Sequence, residues 1–142
     1  MKILKSTLII PVRFSETDAM GVVWHGNYLK FFEDARESFG KEHGMEYLDV
    51  YGKGYFIPIV KSEISHKASI FYGEDALIHV TLEKHESAKI VFRYKVINNT
   101  TKQVAATGMT MQVFMFVSDR TLELIKPEFY AIWEEAQNWI DG

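Results

Sequence analysis

The chain has 142 residues and no cysteine, which sets aside disulfides, thiolate nucleophiles and thiolate metal centres. A formal net charge of −3 with 25% charged residues gives no basic surface for nucleic acid, and the 47% apolar share suits one globular domain, expected over residues 1–142. The 14% aromatic share points to a core or interface rich in Phe and Tyr, and so to a homo-oligomer.

Met1 to Lys5 lack the apolar run of a signal peptide. No apolar stretch approaches the roughly 20 residues a membrane helix needs. A soluble cytoplasmic protein without membrane insertion is the expectation. Residues 6–14 read as a strand, with Pro11 favouring a bulge or an edge position. Residues 15–27 read as a loop turned by Gly21 and Gly26. From Tyr28 to about His43, the apolar residues Tyr28, Phe31, Phe32, Ala35 and Phe39 fall on one helical stripe. Lys30–Asp34 and Glu37–Lys41 are i,i+4 pairs beside it. Asn27 suits the N-cap and Gly44 the C-terminal cap, and Gly52 and Gly54 mark a loop.

Residues 56–71, 75–86, 88–98 and 103–117 read as strands, the last bent at Gly108. Turns are expected at 72–75, at the hairpin 98–102 and at Asp119-Arg120. Pro127 to Ile140 reads as a short helix with Pro127 in its first turn and Phe129, Ile132, Trp133, Ala136 and Ile140 on its apolar face. The order β-α-β-β-β-β-α gives an α+β fold in which one long helix buries its stripe across a curved antiparallel sheet.

The chemistry concentrates in Glu16-Thr17-Asp18-Ala19-Met20-Gly21-Val22-Val23-Trp24-His25-Gly26-Asn27-Tyr28. It sets a carboxylate, a glycine turn and a histidine just before an amphipathic helix. Backbone N–H groups at a helix start attract an oxygen that becomes negative, and a carboxylate beside them attacks or activates water. Such an arrangement suits an enzyme acting on a carbonyl, a thioester above all. Taken alone, Asp18 is also a turn former. His25 is also a helix-start hydrogen bonder, Asn27 a cap, and Tyr28 a core residue whose edge lines a pocket. His66, His79 and His85 stand at no metal-ligand spacing and read as structural, so no metal is expected. Lys61, Lys67 and Lys84 are candidate phosphate contacts, and Glu33 and Arg36 a candidate ion pair.

The run from Phe14 to Tyr28, continuing into Phe32-Glu33-Asp34-Ala35-Arg36, resembles the hotdog-fold acyl-CoA thioesterases. The nearest group is the 4-hydroxybenzoyl-CoA thioesterase family and its Tol-Pal-associated relatives. The matching pattern is Asp-x-x-Gly-x-Val, a His seven residues after the Asp, then Asn-Tyr and Glu-x-Ala-Arg. Ile64 to Asp75 resembles the family's second strand and turn, so the likeness covers roughly residues 6 to 117. The resemblance implies the hotdog fold, a sheet wrapped around a central helix; the short C-terminal helix lies outside the likeness and rests on its own apolar pattern. It also implies a homodimer or homotetramer joined edge to edge, with active sites at the subunit interface. Asp18 then matches the catalytic carboxylate, as general base or nucleophile. His25 matches the helix-start position whose amide polarises the carbonyl, with Gly26, Asn27 and Tyr28 contacting substrate. Phe14 stands where many Tol-Pal-type relatives carry Tyr. The implied reaction is hydrolysis of an acyl-CoA or acyl-carrier-protein thioester, with coenzyme A part of the substrate and no other cofactor. A non-catalytic acyl-thioester-binding module is the alternative. A dehydratase ranks last, because no compact Asp-x-Asn-Pro-x-His segment is present.

Overall fold

The computed structural model describes all 142 residues. Strand β1 (Lys2–Pro11) is followed by the short 3-10 turn Phe14–Glu16 and helix α1 (Asn27–His43). Then come α2 (Tyr47–Gly52), β2 (Tyr55–Phe56), β3 (Ile59–His66), β4 (Asp75–Glu83), β5 (Lys89–Asn98) and β6 (Val104–Phe116). Strand β7 (Leu122–Glu123), helix α3 (Glu128–Glu135) and β8 (Ile140–Asp141) complete the chain. The eight strands form one antiparallel sheet in the order β2-β6-β5-β4-β1-β8, with β3 and β7 also pairing to β6.

The α+β arrangement is the one expected. Side chains alternate along β4 and β5, so Ile78, Val80, Leu82, Ile90, Phe92, Tyr94 and Val96 share the covered face. Against that face α1 lays its stripe, with Phe31, Phe32 and Ala35 fully buried. Phe32 stacks on Tyr94 with ring centroids 4.0 Å apart, and Phe39 meets Phe92 edge-on at 5.2 Å. Gly44 ends the helix in the left-handed region (φ 76°).

Several boundaries differ from expectation. The first strand begins at Lys2, and Pro11 is its last paired residue rather than a bulge. The stretch around Gly52 is helix α2, not loop, because Glu46 and Asp49 exchange backbone and side-chain bonds at its start. The expected strand 56–71 is broken into β2 and β3 by Ile57-Pro58, since proline cannot donate to a ladder. Register between β5 and β6 runs unbroken through Gly108, with one irregularity at Val96/Ile97. Glycine is required at 108 because a Cβ there would sit 2.6 Å from both the Phe32 ring and the Glu63 carbonyl. The last helix stops at Glu135, and Ile140 leaves its stripe to pair with Ile3 in the sheet. No helix is long and apolar enough to cross a membrane.

Candidate active site

The segment before α1 is a tight antiparallel excursion. Asp18 N–H donates to the Val22 carbonyl (2.8 Å), Gly21 N–H donates to the Asp18 carbonyl (3.0 Å), and Thr17 bridges Val23. Gly21 holds φ at +80°, a conformation few side chains tolerate. The excursion is tied to the turn after β3, with Val23 N–H bonded to the Ile70 carbonyl and Tyr72 N–H to the Gly21 carbonyl. Asp18 is half-buried at its tip. Its Oδ1 accepts the Met20 amide at 2.8 Å and the Val22 amide at 3.4 Å. The turn-forming role and an available second oxygen therefore coexist in one side chain.

The helix entrance is fastened to the same excursion. Trp24 N–H donates to the Glu16 carbonyl (2.9 Å), and the Asn27 side-chain amide donates to that carbonyl too (2.8 Å). Asn27 is thus the first residue of α1 and not its cap. The capping position belongs to Gly26, in a helical conformation (φ −65°, ψ −19°) with no side-chain cap. The backbone N–H groups of His25 and Gly26 donate to no backbone carbonyl. They stand at the positive end of a 17-residue helix. The space above Gly26 is occupied by Trp24, whose indole a Cβ at 26 would overlap. Paired positions Glu16–Trp24, Thr17–Val23 and Asp18–Val22 place Asp18 two steps along this ladder from Trp24, about 7 Å at the rise of a strand.

His25 is exposed, and its ring lies 4.9 Å from the Trp24 ring and 6.2 Å, edge-on, from that of His66. Tyr28 is buried, with its ring 5.1 Å from His66 and 5.6 Å from Phe31. Burial pushes the Tyr28 phenol above its ordinary range, so it stays protonated at neutral pH. His66, read from sequence as structural, is therefore a neighbour of the helix entrance, brought there by the end of β3. Nothing in a sequence separation of 41 residues signals this. Trp24 lies within the motif that precedes α1, but an isolated Trp has no periodicity that assigns it a role.

Beneath the entrance Glu16 is buried, with Arg13 at 2.7 Å and Lys30 at 3.2 Å from its Oε2. Burial pushes this carboxyl up, but the bonds from Arg13 and Lys30 outweigh it and hold the group below the usual glutamate range. Lys30 thus serves Glu16 and not the expected Asp34, whereas Glu37–Lys41 forms at 3.4 Å. The expected Glu33–Arg36 pair is replaced by an Arg36 bond to the Tyr94 hydroxyl (3.0 Å). Of the lysines considered for phosphate, Lys61 pairs with Glu63 and Lys84 lies over Trp139. The structure thus gathers His25, Gly26, Asn27 and Tyr28 with Trp24 and His66 at the helix entrance. Asp18 sits beside them on the anchored turn.

A family model described as the thioesterase-like superfamily matches residues 12–133. The Bacillus subtilis (strain 168) protein named "Putative acyl-CoA thioesterase YneP" is 40% identical over 89 residues, 63% of this chain and 64% of that protein. An Aquifex aeolicus (strain VF5) protein named "Putative esterase" is 33% identical over 83 residues, 58% of this chain and 65% of that one. The matched segment thus spans just under two thirds of the length of these curated relatives. Among solved structures, the DHNA-CoA thioesterase from Staphylococcus aureus superposes with a TM-score of 0.83 at 30% identity, over 93% of this chain and 87% of that one. A hypothetical protein, TT1821, from Thermus thermophilus gives 0.81 at 28%, over 95% and 99%.

Proposed function

We propose that this chain, which belongs to the thioesterase-like superfamily, hydrolyses the thioester of an acyl-CoA to a free acid and a thiol. The observation that carries the reading is a pair of unengaged amides, at His25 and Gly26, beside a half-buried carboxylate with one oxygen to spare. The thioester carbonyl oxygen takes the two N–H groups, which are fixed in place before negative charge develops. A water molecule between Asp18 and the carbonyl carbon gives its proton to Asp18. Its oxygen forms the new C–O bond. The C–S bond then breaks, and the thiolate recovers the proton. Direct attack by the same Asp18 oxygen, giving a mixed anhydride that water then hydrolyses, is the alternative route for this carboxylate. Asn27 holds the entrance closed against Glu16, Tyr28 supplies a protonated wall, and the indole of Trp24 lies over Gly26 as the aromatic side of the acyl entrance.

The outer edge of β3 has no strand partner, since β3 pairs with β6 alone. We read that edge as the seam of a homodimer, because an uncovered row of backbone donors and acceptors is complementary to its own copy in antiparallel orientation. Placement near the 4-hydroxybenzoyl-CoA group, a cytoplasmic setting, and a carrier-protein thiol in place of coenzyme A are part of the same reading, supported by the ordered motif from Asp18 to Arg36. The test is thiol release from a panel of acyl-CoA esters of varied length and aromaticity. Turnover of at least one ester is expected. Binding of CoA esters without release of thiol across the panel would instead establish a non-catalytic module.

A further inference from the structure

Behind the second half of α1 lies a cavity of about 500 Å³, within the range of small-molecule sites, whose lining includes neither Asp18 nor His25. Its interior is apolar and aromatic, with Phe39 from α1, Ile90 and Phe92 from β5, and Trp133 from α3. Its exposed rim carries Glu33, Glu37, Glu46 and Asp49. Among the lining residues one is cationic, Arg36. A single N–H of its guanidinium is engaged, by the Tyr94 hydroxyl, which shares a second hydrogen bond with Thr110 at 2.6 Å. A guanidinium carries five N–H donors. The rest meet no carboxylate, since Glu37 pairs with Lys41 and Glu33 with nothing. These donors have no protein acceptor and reach the solvent of the cavity, so a ligand oxygen there can take the place of water on them.

We propose that this cavity receives the far end of the acyl chain, and that Arg36 selects chains bearing a neutral hydroxyl or carbonyl oxygen there. The identity of the ligand's near end, a thioester, rests on the reading above; the cavity's preference does not. The acidic rim disfavours an anionic tail and repels the phosphates of coenzyme A, so head and tail occupy different ends of α1. Ten residues of helix separate Gly26 from Arg36, about 15 Å at the rise of an α-helix. A single aromatic ring is too short for that span, and an extended chain of dodecanoyl length matches it.

Two measurements on the whole protein test this. Amide NMR shifts of the wild type titrated with 2-naphthol, a neutral hydroxyl-bearing probe, should map to Gly40, Val50 and Ile90, with binding tighter than that of naphthalene. Shifts elsewhere, or none, overturn the site whether or not the protein hydrolyses thioesters. For catalysis, 12-hydroxydodecanoyl-CoA should exceed dodecanoyl-CoA in kcat/KM by about tenfold, and Arg36→Met should bring that ratio to within about twofold of one. A ratio near one in the wild type, or one that survives in Arg36→Met, overturns the selectivity. If Arg36→Met does not fold, Leu48→Trp on the exposed rim should depress turnover of dodecanoyl-CoA more than that of acetyl-CoA, and equal effects count against the cavity. If no thioester is hydrolysed but 2-naphthol still shifts the cavity amides and loses its advantage over naphthalene in Arg36→Met, the site stands and the hydrolytic reading alone falls.

Discussion

Glu16 is a carboxylate buried under the helix entrance, and its contribution to stability follows from its ionisation. Its folded-state pKa lies below the unfolded one, so the stabilisation is fully present above the usual glutamate range and is lost as pH falls through the folded value. Glu16→Gln should cost about 1.5–3 kcal/mol in denaturant unfolding at pH 7, the range for hydrogen bonds to charged groups, with the partial exposure of Arg13 and Lys30 favouring the lower end. The gap should narrow below about pH 4.5; a gap independent of pH would show that charge is not what Glu16 supplies. Sequence revealed the residues of the entrance but not this role, because a Glu at the start of the motif reads as part of the motif. Asn27 shows the same limit. Its residue type predicts a cap, yet the chain folds back so that the Glu16 carbonyl claims its amide. Such a preference is set by tertiary contact, which local pattern does not encode.

At the scale of elements, periodicity carried most of the reading. The stripe of α1 and the alternation of β4 and β5 are dictated by which side chains can be buried together, so their faces were legible. Breaks were less so. Helix α2 is six residues long, too short to show a period, and is fixed by the exchange between Glu46 and Asp49. Gly108 stands out in the strand pattern, and the structure supplies a packing reason for it: the position makes room for the Phe32 ring. Gly108→Ala should therefore destabilise by about 1–3 kcal/mol through overpacking, measured by thermal or urea unfolding. Gly44→Ala should cost about 1–2 kcal/mol, because alanine must then adopt the left-handed cap. If Gly108→Ala were neutral, the close packing of α1 on β6 would not be limiting.

At the scale of the whole molecule, the layout was legible because one amphipathic helix and consecutive hairpin-linked strands leave few ways to close a core. The cavity behind α1 was not, since it depends on α2, which is too short to show a period, and on where α3 docks, a tertiary contact that no local pattern encodes. Sedimentation at micromolar concentration should show twice the 16.5 kDa chain mass, and a monomer would remove the β3 seam from the account. The central claim is that the free oxygen of Asp18 activates water against a carbonyl held by the amides of His25 and Gly26. Its most direct test is the rate of thiol release by Asp18→Asn on the best acyl-CoA ester, in a variant shown to keep the wild-type fold and association state. The account predicts a fall in kcat of about 10²-fold or more, the scale set by losing a positioned general base. Turnover within about threefold of wild type, less than 1 kcal/mol of barrier, would contradict it.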